Sequence, residues 1–413
     1  MTTVEPALAP SSDPPEPIGL ASLAKRAFDG GDLSPLSSEL IRRMIAEPDN
    51  AAVLMDLATI EHLFGNRGDA LDLQRRALEC QRVYRRPSAA PGGDELRLLA
   101  FMAPGDFMAN TPLEFLLEGS NVRLDMLYVL PDAPLPEAFP EHDLAFVAVG
   151  ESDENQILLS ALEPVTRRWP RPVLNAPERI AKLSREGTWE LLRSAPGIAI
   201  PRTLRLDRQS LARLGGGEAA PDDIRFPIIA RPIGSHAGQG LTKLETPAAI
   251  AAYLQGQPES TFYVSRFVDY RSADGLFRKY RVALIEGRPF ASHMGVSQHW
   301  MIHYLNAGMR ESAAKRAEEA RFMAEFDRDF ARRHARAFET LAERVGLEYF
   351  GIDCGETPEG ELLIFEADVA MIVHAMDPPD LFPYKRPQML KVFDAFRAML
   401  ARVANRPAPG TGR

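Results

Sequence analysis

The sequence predicts a multidomain protein in which an α/β unit and a larger α+β region follow an N-terminal α-helical repeat module. Three observations carry this prediction. Residues near the N-terminus recur at an offset of 34 positions. From residue 94, short apolar runs alternate with helical stretches, the pattern of a parallel sheet covered by helices. From residue 176 strands dominate, ending in an alternating pair between Gly351 and Ala370. The expected division is a disordered tail at 1–16, a helical module at 17–88, an α/β domain at 94–175, an α+β domain at 176–402 and a second tail at 403–413.

Composition fits a soluble globular chain: of 413 residues, 45% are apolar and 25% charged. A net charge of −9 provides no global basic field, so nucleic acid is not an expected partner. No run of eighteen apolar residues occurs, and the start lacks a basic stretch followed by an apolar one. Neither a membrane span nor a signal peptide is expected, and the expected location is the cytoplasm. The two cysteines, Cys80 and Cys354, match no metal-ligand spacing and read as buried free thiols.

In the first module Leu20, Leu23, Ala24 and Gly31 fall on Leu54, Leu57, Ala58 and Gly65, and Arg42 falls on Arg76. Small residues where helices cross, and glycine at the turn, give this period a resemblance to tetratricopeptide repeats. Such repeats bind peptides, so the resemblance implies a possible protein or peptide partner. Two units are few for a solenoid, and the pair is expected to lean on the rest of the chain.

After the linker "RRPSAAPGGD", the segments "LRLLAFMA", "RLDMLYVL" and "DLAFVAVG" read as strands, with helical stretches from Thr111 and Asn155. "GDFMANTPLEFLLEG" follows the first strand, where α/β sheets bind ligands. Asn110 is a substrate candidate there, with helix capping as the simpler reading. Beyond Ala176 come a helix near Arg185–Ser194, strand "FPIIARP", loop "IGSHAGQG" and strand "LTKLE". A helix from Thr246 and strands "TFYVSRFVD", "YRVALIEG" and "RPFASHMGV" follow, then a charged amphipathic stretch over 313–345.

The closing hairpin, "GIDCGETPEGELLIFEADVA", carries three carboxylates where a core hairpin prefers apolar side chains. A two-residue loop at Glu359-Gly360 sets Asp353 opposite Glu366, and Asp368 shares the face of Glu366. Ile352, Cys354, Leu363, Phe365 and Ala367 then face the core. Three neighbouring carboxylates repel unless a cation neutralises them, and oxygen-only ligands favour Mg²⁺ over Zn²⁺. In "RPIGSHAGQG", Gly234, Gly238 and Gly240 free the backbone so that amide groups can approach a phosphate, and Arg231 adds a fixed positive charge. Backbone groups of "YVSRFV" suit an adenine edge, and Arg281 points one charge to a cleft or to solvent. His293, His299, His303 and His374 lie near the same segments; His299 and His303, four apart, would align on a helix.

In order, "KLSREGTWELL", "PIIARP", "YVSRFVD", "RKYRVALIEGRP", "LNAG" and "GID…EAD" resemble the ATP-grasp superfamily over roughly residues 96–400, in particular its ribosomal-protein glutamate ligase and glutathione synthetase branch. The resemblance implies a Rossmann-like pre-ATP-grasp domain before the ATP-grasp fold. It also implies ATP and Mg²⁺ as cofactors, with ligation of a carboxylate to an amine through an acyl phosphate. The substrates are unspecified small molecules or peptides. Lys182 matches a phosphate-binding lysine, and Arg231 stands where a second lysine is usual. Ser235 joins Gly234, Gly238 and Gly240 in the phosphate loop, which is a candidate lid. Ser265, Arg266, Phe267 and Val268 match the adenine-contacting linker, with Asp269 toward the ribose. Arg281 and Asn306 match residues near the transferred phosphate. Asp353 and Glu366 match the metal-binding acids, while Asp368 replaces an asparagine. The alternative is a nucleotide-binding interaction protein with little or no ligase activity.

Overall fold

The computed structural model describes residues 13–89, 95–218, 224–235 and 238–405. The expected tails therefore lie mostly outside the described residues, as do positions 236 and 237 of the glycine-rich loop. Four helices lead: α1 (Leu20–Phe28), α2 (Ser34–Ala46), α3 (Ala51–Phe64) and α4 (Arg67–Cys80). The Asn50 side chain caps α3 by accepting from the Val53 N–H, and the helix stops at Gly65 (φ 86°), a left-handed conformation that costs glycine nothing. In the first pair the left-handed turn residue is Gly30, one position before the Gly31 that the offset selects. Cys354 is buried as expected, but Cys80, at the end of α4, is exposed.

The first sheet contains β1 (Val83–Arg86), β2 (Leu96–Met102), β3 (Val122–Tyr128), β4 (Leu144–Val147) and β5 (Val173–Leu174), in the order β1-β3-β2-β4-β5. All its pairings are parallel except β1 with β3, so the last residues of the expected helical module supply the sheet's edge strand. Its helices are α5 (Leu113–Leu116), far shorter than the sequence suggests, and α6 (Gln156–Thr166). The chain leaves β2 between two neighbours on opposite sides, the place where such sheets open a crevice. Asn110 closes that loop, accepting from the Ala103 N–H at 2.7 Å and donating to the Ala103 carbonyl at 2.8 Å. It caps no helix.

Short α7 (Pro177–Ile180) and α8 (Arg185–Leu192) lead to two walls, antiparallel except for one short parallel edge pairing in the larger. The smaller wall has β7 (Thr203–Asp207), β8 (Ile228–Pro232), β9 (Thr242–Leu244) and β10 (Thr261–Arg266), in the order β7-β10-β8-β9. Backed by α9 (Arg208–Gly215) and α10 (Ala249–Gln255), it has a core of its own around Ile228, Phe262, Val264 and Ile250. The larger wall orders β12 (Arg288–Ser297), β11 (Phe277–Ile285), β13 (Tyr349–Glu356), β14 (Leu362–Asp368) and β6 (Ile198–Ala199). Its core is continuous with that of the parallel sheet and with α14 (Lys385–Ala404). The stretch expected as one amphipathic unit is three helices, α11 (Ala313–Glu325), α12 (Phe330–Arg333) and α13 (Ala335–Val345). The last break falls at His334, which is buried against Glu356 at 2.9 Å. No described helix is long and apolar enough to cross a membrane.

Candidate active site

A cleft of about 460 Å³ opens between the two walls. Its character changes along the strands. One end is apolar: Phe267, Val268, Tyr270, Trp300 and Leu363 line it, and Lys243 Nζ lies 4.1 Å from the centre of the Phe267 ring. The other end is charged, lined by Arg185, Arg231, Lys279, Arg281, Asp353 and Glu366.

Register places the charged groups. Arg281 on β11 pairs with His293 on β12 and with Asp353 on β13, and Asp353 pairs with Glu366 on β14. One row of side chains thus crosses four strands. A register shift follows this row on each flank, between Arg281 and Val282 and between Asp353 and Cys354. Bulges re-aim side chains, and these two bracket the site.

The facing of Asp353 and Glu366 agrees with the sequence expectation, by a different route. The turn closes with Thr357 donating to the Glu361 carbonyl at 3.0 Å, so its loop has three residues and Gly360 takes φ 83°. That shortens the register by one residue near the turn, and the bulge restores it. Between turn and bulge, the expected faces are exchanged. Ile364 pairs with Cys354 and joins the main core, whereas Leu363 joins the cluster beside the cleft and Phe365 packs against it.

Asp353 is 1% exposed and saturated with cations. Arg281 grips it with two prongs, Nε to Oδ1 at 2.8 Å and Nη2 to Oδ2 at 3.0 Å, and Lys279 Nζ reaches Oδ2 at 2.7 Å. Burial opposes its charge, but Arg281 and Lys279 outweigh burial and hold the carboxyl well below the usual range. The third arm of Arg281 donates to the Ile372 carbonyl at 3.2 Å. Arg185 pairs with Glu366 and donates to the Phe365 carbonyl at 2.9 Å. Burial would also raise Glu366, and Arg185 more than offsets it, leaving that carboxyl lowered. Arg231 folds back on its own loop, donating to the Ser235 hydroxyl and carbonyl; burial, reinforced by Arg185, pulls it down to about 10.

Of the residues expected at the site, Arg231, Gly238, Ser265, Arg266, Phe267, Val268, Arg281, Asp353 and Glu366 line the cleft. Lys182 does not; it is exposed one turn before α8, and Arg185 enters the cleft instead. Gly234, Ser235 and Gly240 stand behind the lining. Gly240 is required there, since its φ is 65° and a Cβ would come within 2.6 Å of Pro232. Asp269 pairs with Arg271 at the surface. Asn306 is exposed and turns back to accept from the His303 N–H at 3.0 Å.

Asp368 accepts from the Ala370 N–H at 2.9 Å; burial pushes it up to about 6 against that bond. Its carboxylate does not line the cleft. Among the described residues no group of three or more His, Cys, Asp or Glu side chains is arranged to hold a metal ion. As the donors stand they do not fit Mg²⁺, because both oxygens of Asp353 already accept from cationic groups and Glu366 is paired.

The histidines divide. His303 lines the cleft and is pulled below its usual value, chiefly by burial and then by Lys279 and Arg281. His299 is exposed, and the segment carrying both is irregular, not helical. His293 rests its ring 4.5 Å from that of Tyr304. His374 accepts from the Met376 N–H at 3.1 Å and packs near Phe28 and Phe115.

No sequence profile of a protein family matches the chain, and no curated protein matches its sequence. Among solved structures it is similar to the D-alanine–D-alanine ligase of Bacillus anthracis complexed with ATP, at 12% identity and a TM-score of 0.45, covering 76% of this chain and 99% of that one. It is likewise similar to the D-alanyl-alanine synthetase A of Vibrio cholerae, at 15% identity and a TM-score of 0.46, with coverage of 76% and 99%. A RimK domain ATP-grasp protein of Sphaerobacter thermophilus is similar at 15% identity and a TM-score of 0.40, with coverage of 74% and 99%.

Proposed function

We propose that the chain is an ATP-grasp enzyme that joins a carboxylate to an amine, using the cleft between the two walls for ATP. The observation that carries this reading is the polarity of the cleft. A nucleotide is a flat base joined to a polyanion, and the cleft is aromatic at one end and cationic at the other. Backbone groups of Ser265–Val268 stand at the aromatic end to receive the base. Arg185, Arg231, Lys279 and Arg281 stand where the phosphates would lie.

In the reaction proposed, a substrate carboxylate attacks the γ-phosphorus, and ADP leaves. The resulting acyl phosphate takes up an amine and releases phosphate, forming an amide. The cationic side chains lower the barrier by neutralising charge on the transferring group, and a fixed guanidinium does so without reorganising. His303, held neutral at pH 7, is the cleft side chain able to accept the amine's proton. The walls must exclude water, which would hydrolyse the acyl phosphate. The substrates are small or peptidic, and helices α1–α4, read as tetratricopeptide-like, offer a surface for a peptide partner.

A second reading, a nucleotide-binding protein with little turnover, is favoured by the engagement of Asp353 with both Arg281 and Lys279. An assay of ADP release over pooled amino acids, peptides and small acids separates the two. The ligase predicts substrate-stimulated ADP release with amide formation. Tight ATP binding without turnover in any pool would leave the second reading standing.

A further inference from the structure

The carboxylates at the head of the cleft are already counter-charged by the protein. Asp353 Oδ2 accepts from Lys279 at 2.7 Å and from Arg281 at 3.0 Å, Oδ1 accepts from Arg281 at 2.8 Å, and Glu366 pairs with Arg185. These contacts follow from the fold. Lys279 and Arg281 alternate on β11 and so share a face, and Arg281, Asp353 and Glu366 are fixed in one row by strand register.

A divalent cation between Asp353 and Glu366 would have to displace these groups while remaining beside them. At about 4 Å, each pair of like unit charges near a protein surface repels by roughly 4 kcal/mol. Arg281 stands directly opposite Asp353 in strand register, and Lys279 rises two residues away on the same strand, so both charges are anchored beside the carboxylate. With Arg231 and Arg266 the cleft is lined by five cationic side chains against two carboxylates, an excess of three positive charges around the space for a polyphosphate.

We propose that this chain binds nucleoside triphosphate without a divalent cation, with Lys279 and Arg281 on Asp353 standing where a metal would otherwise sit. The inference rests on the reading of the cleft as a nucleotide site. Its sharpest element is Lys279, the group whose positive charge lies closest to the carboxylate of Asp353.

The test is calorimetric titration of the whole chain with ATP, once in excess EDTA and once in excess Mg²⁺. The expected result is binding in both, with affinity in EDTA weaker by less than about fivefold, under about 1 kcal/mol. A loss of about fivefold or more in EDTA overturns the proposal. Failure to bind in either buffer overturns the nucleotide reading itself, and this inference with it. Lys279→Gln should weaken binding in EDTA by about tenfold and make Mg²⁺ restore it. Equal loss in both buffers would show that Lys279 does not take the place of a metal. Lys279→Arg, which keeps the charge, should retain binding in EDTA; dependence on Mg²⁺ in that variant would equally refute the idea.

Discussion

Two of the regions where the molecule buries carboxylates neutralise them in different ways. In the cleft, Asp353 meets two side-chain cations and is held ionised. At the seam between the helical module and the parallel sheet, Asp56 accepts from the backbone N–H groups of Ile18 and Gly19, and Glu114 accepts from those of Leu20 and Ala21. Arg86 approaches Glu114 only at 3.4 Å. Burial dominates at the seam, and both carboxyls are raised above their ordinary values. Backbone amides orient a carboxylate but bring only partial charge, whereas a guanidinium brings a whole one. The cleft keeps fixed charge ready for a ligand; the seam holds the entry of α1 against the sheet.

The largest way to break this contrast is Asp353→Ala. It would strand Lys279 and Arg281 without a counter-ion in a largely buried site. Removing one partner of a buried pair typically costs about 3–5 kcal/mol. Urea unfolding should show that loss at pH 7, with a smaller one for Asp353→Asn, which keeps an oxygen acceptor. Because the carboxyl is lowered in the fold, its contribution is present above the ordinary value of 3.8 and is lost as pH falls through its folded value. The deficit of the alanine variant should therefore shrink in strong acid. A cost near zero at pH 7 would mean that the cations do not depend on Asp353.

How much of this was legible in the sequence follows from which forces are local. Strand alternation puts Arg281, Asp353 and Glu366 on cleft-facing positions, since period two is a property of the backbone. The facing of Asp353 and Glu366 emerges correctly only because a three-residue turn and a bulge offset one another; Leu363 and Ile364, between them, exchange faces. Lys279 was within reach of the same rule, being two residues from Arg281. Arg185 was not, because its pairing with Glu366 spans 181 positions and depends on how α8 docks. Asn306 and Lys182 carry suitable chemistry, but a tight turn and an exposed helix approach direct them elsewhere. The edge strand Val83–Arg86 was hidden for a similar reason: four residues become a strand only when β3 offers an edge.

A smaller effect sharpens the seam's side of the comparison, where neutral groups also do the holding. Gln74 on α4 is 8% exposed and bonds Gly105 reciprocally, donating to its carbonyl at 3.0 Å and accepting from its N–H at 2.7 Å. Gly105 lies in the loop after β2, whose Phe107 and Met108 line the cleft. Gln74→Ala would leave both backbone groups of Gly105 without these partners, at a cost of about 1–3 kcal/mol. Hydrogen exchange should speed up over residues 103–110 in the variant and stay unchanged on β13. Unchanged exchange at 103–110 would mean that the helical module does not restrain this loop.

The smallest effect is one of sign, read from Glu114→Gln. The carboxyl of Glu114 is raised in the fold, so between its ordinary value of 4.5 and its folded value the native state binds more protons than the unfolded chain. Stability contributed by this group therefore falls as pH rises through that window, the reverse of the dependence at Asp353. Leu20 and Ala21 donate to different oxygens of Glu114, so glutamine keeps an acceptor for only one of them, a loss that does not vary with pH, and it never ionises. Its stability relative to the native chain should be lowest near pH 4.5 and improve as pH rises, read as a difference in thermal midpoint at each pH. A difference that instead worsens with rising pH would mean that Arg86 and the amides stabilise the charged form more than burial opposes it. The seam would then resemble the cleft, and the distinction between holding with dipoles and holding with charges would fail at Glu114.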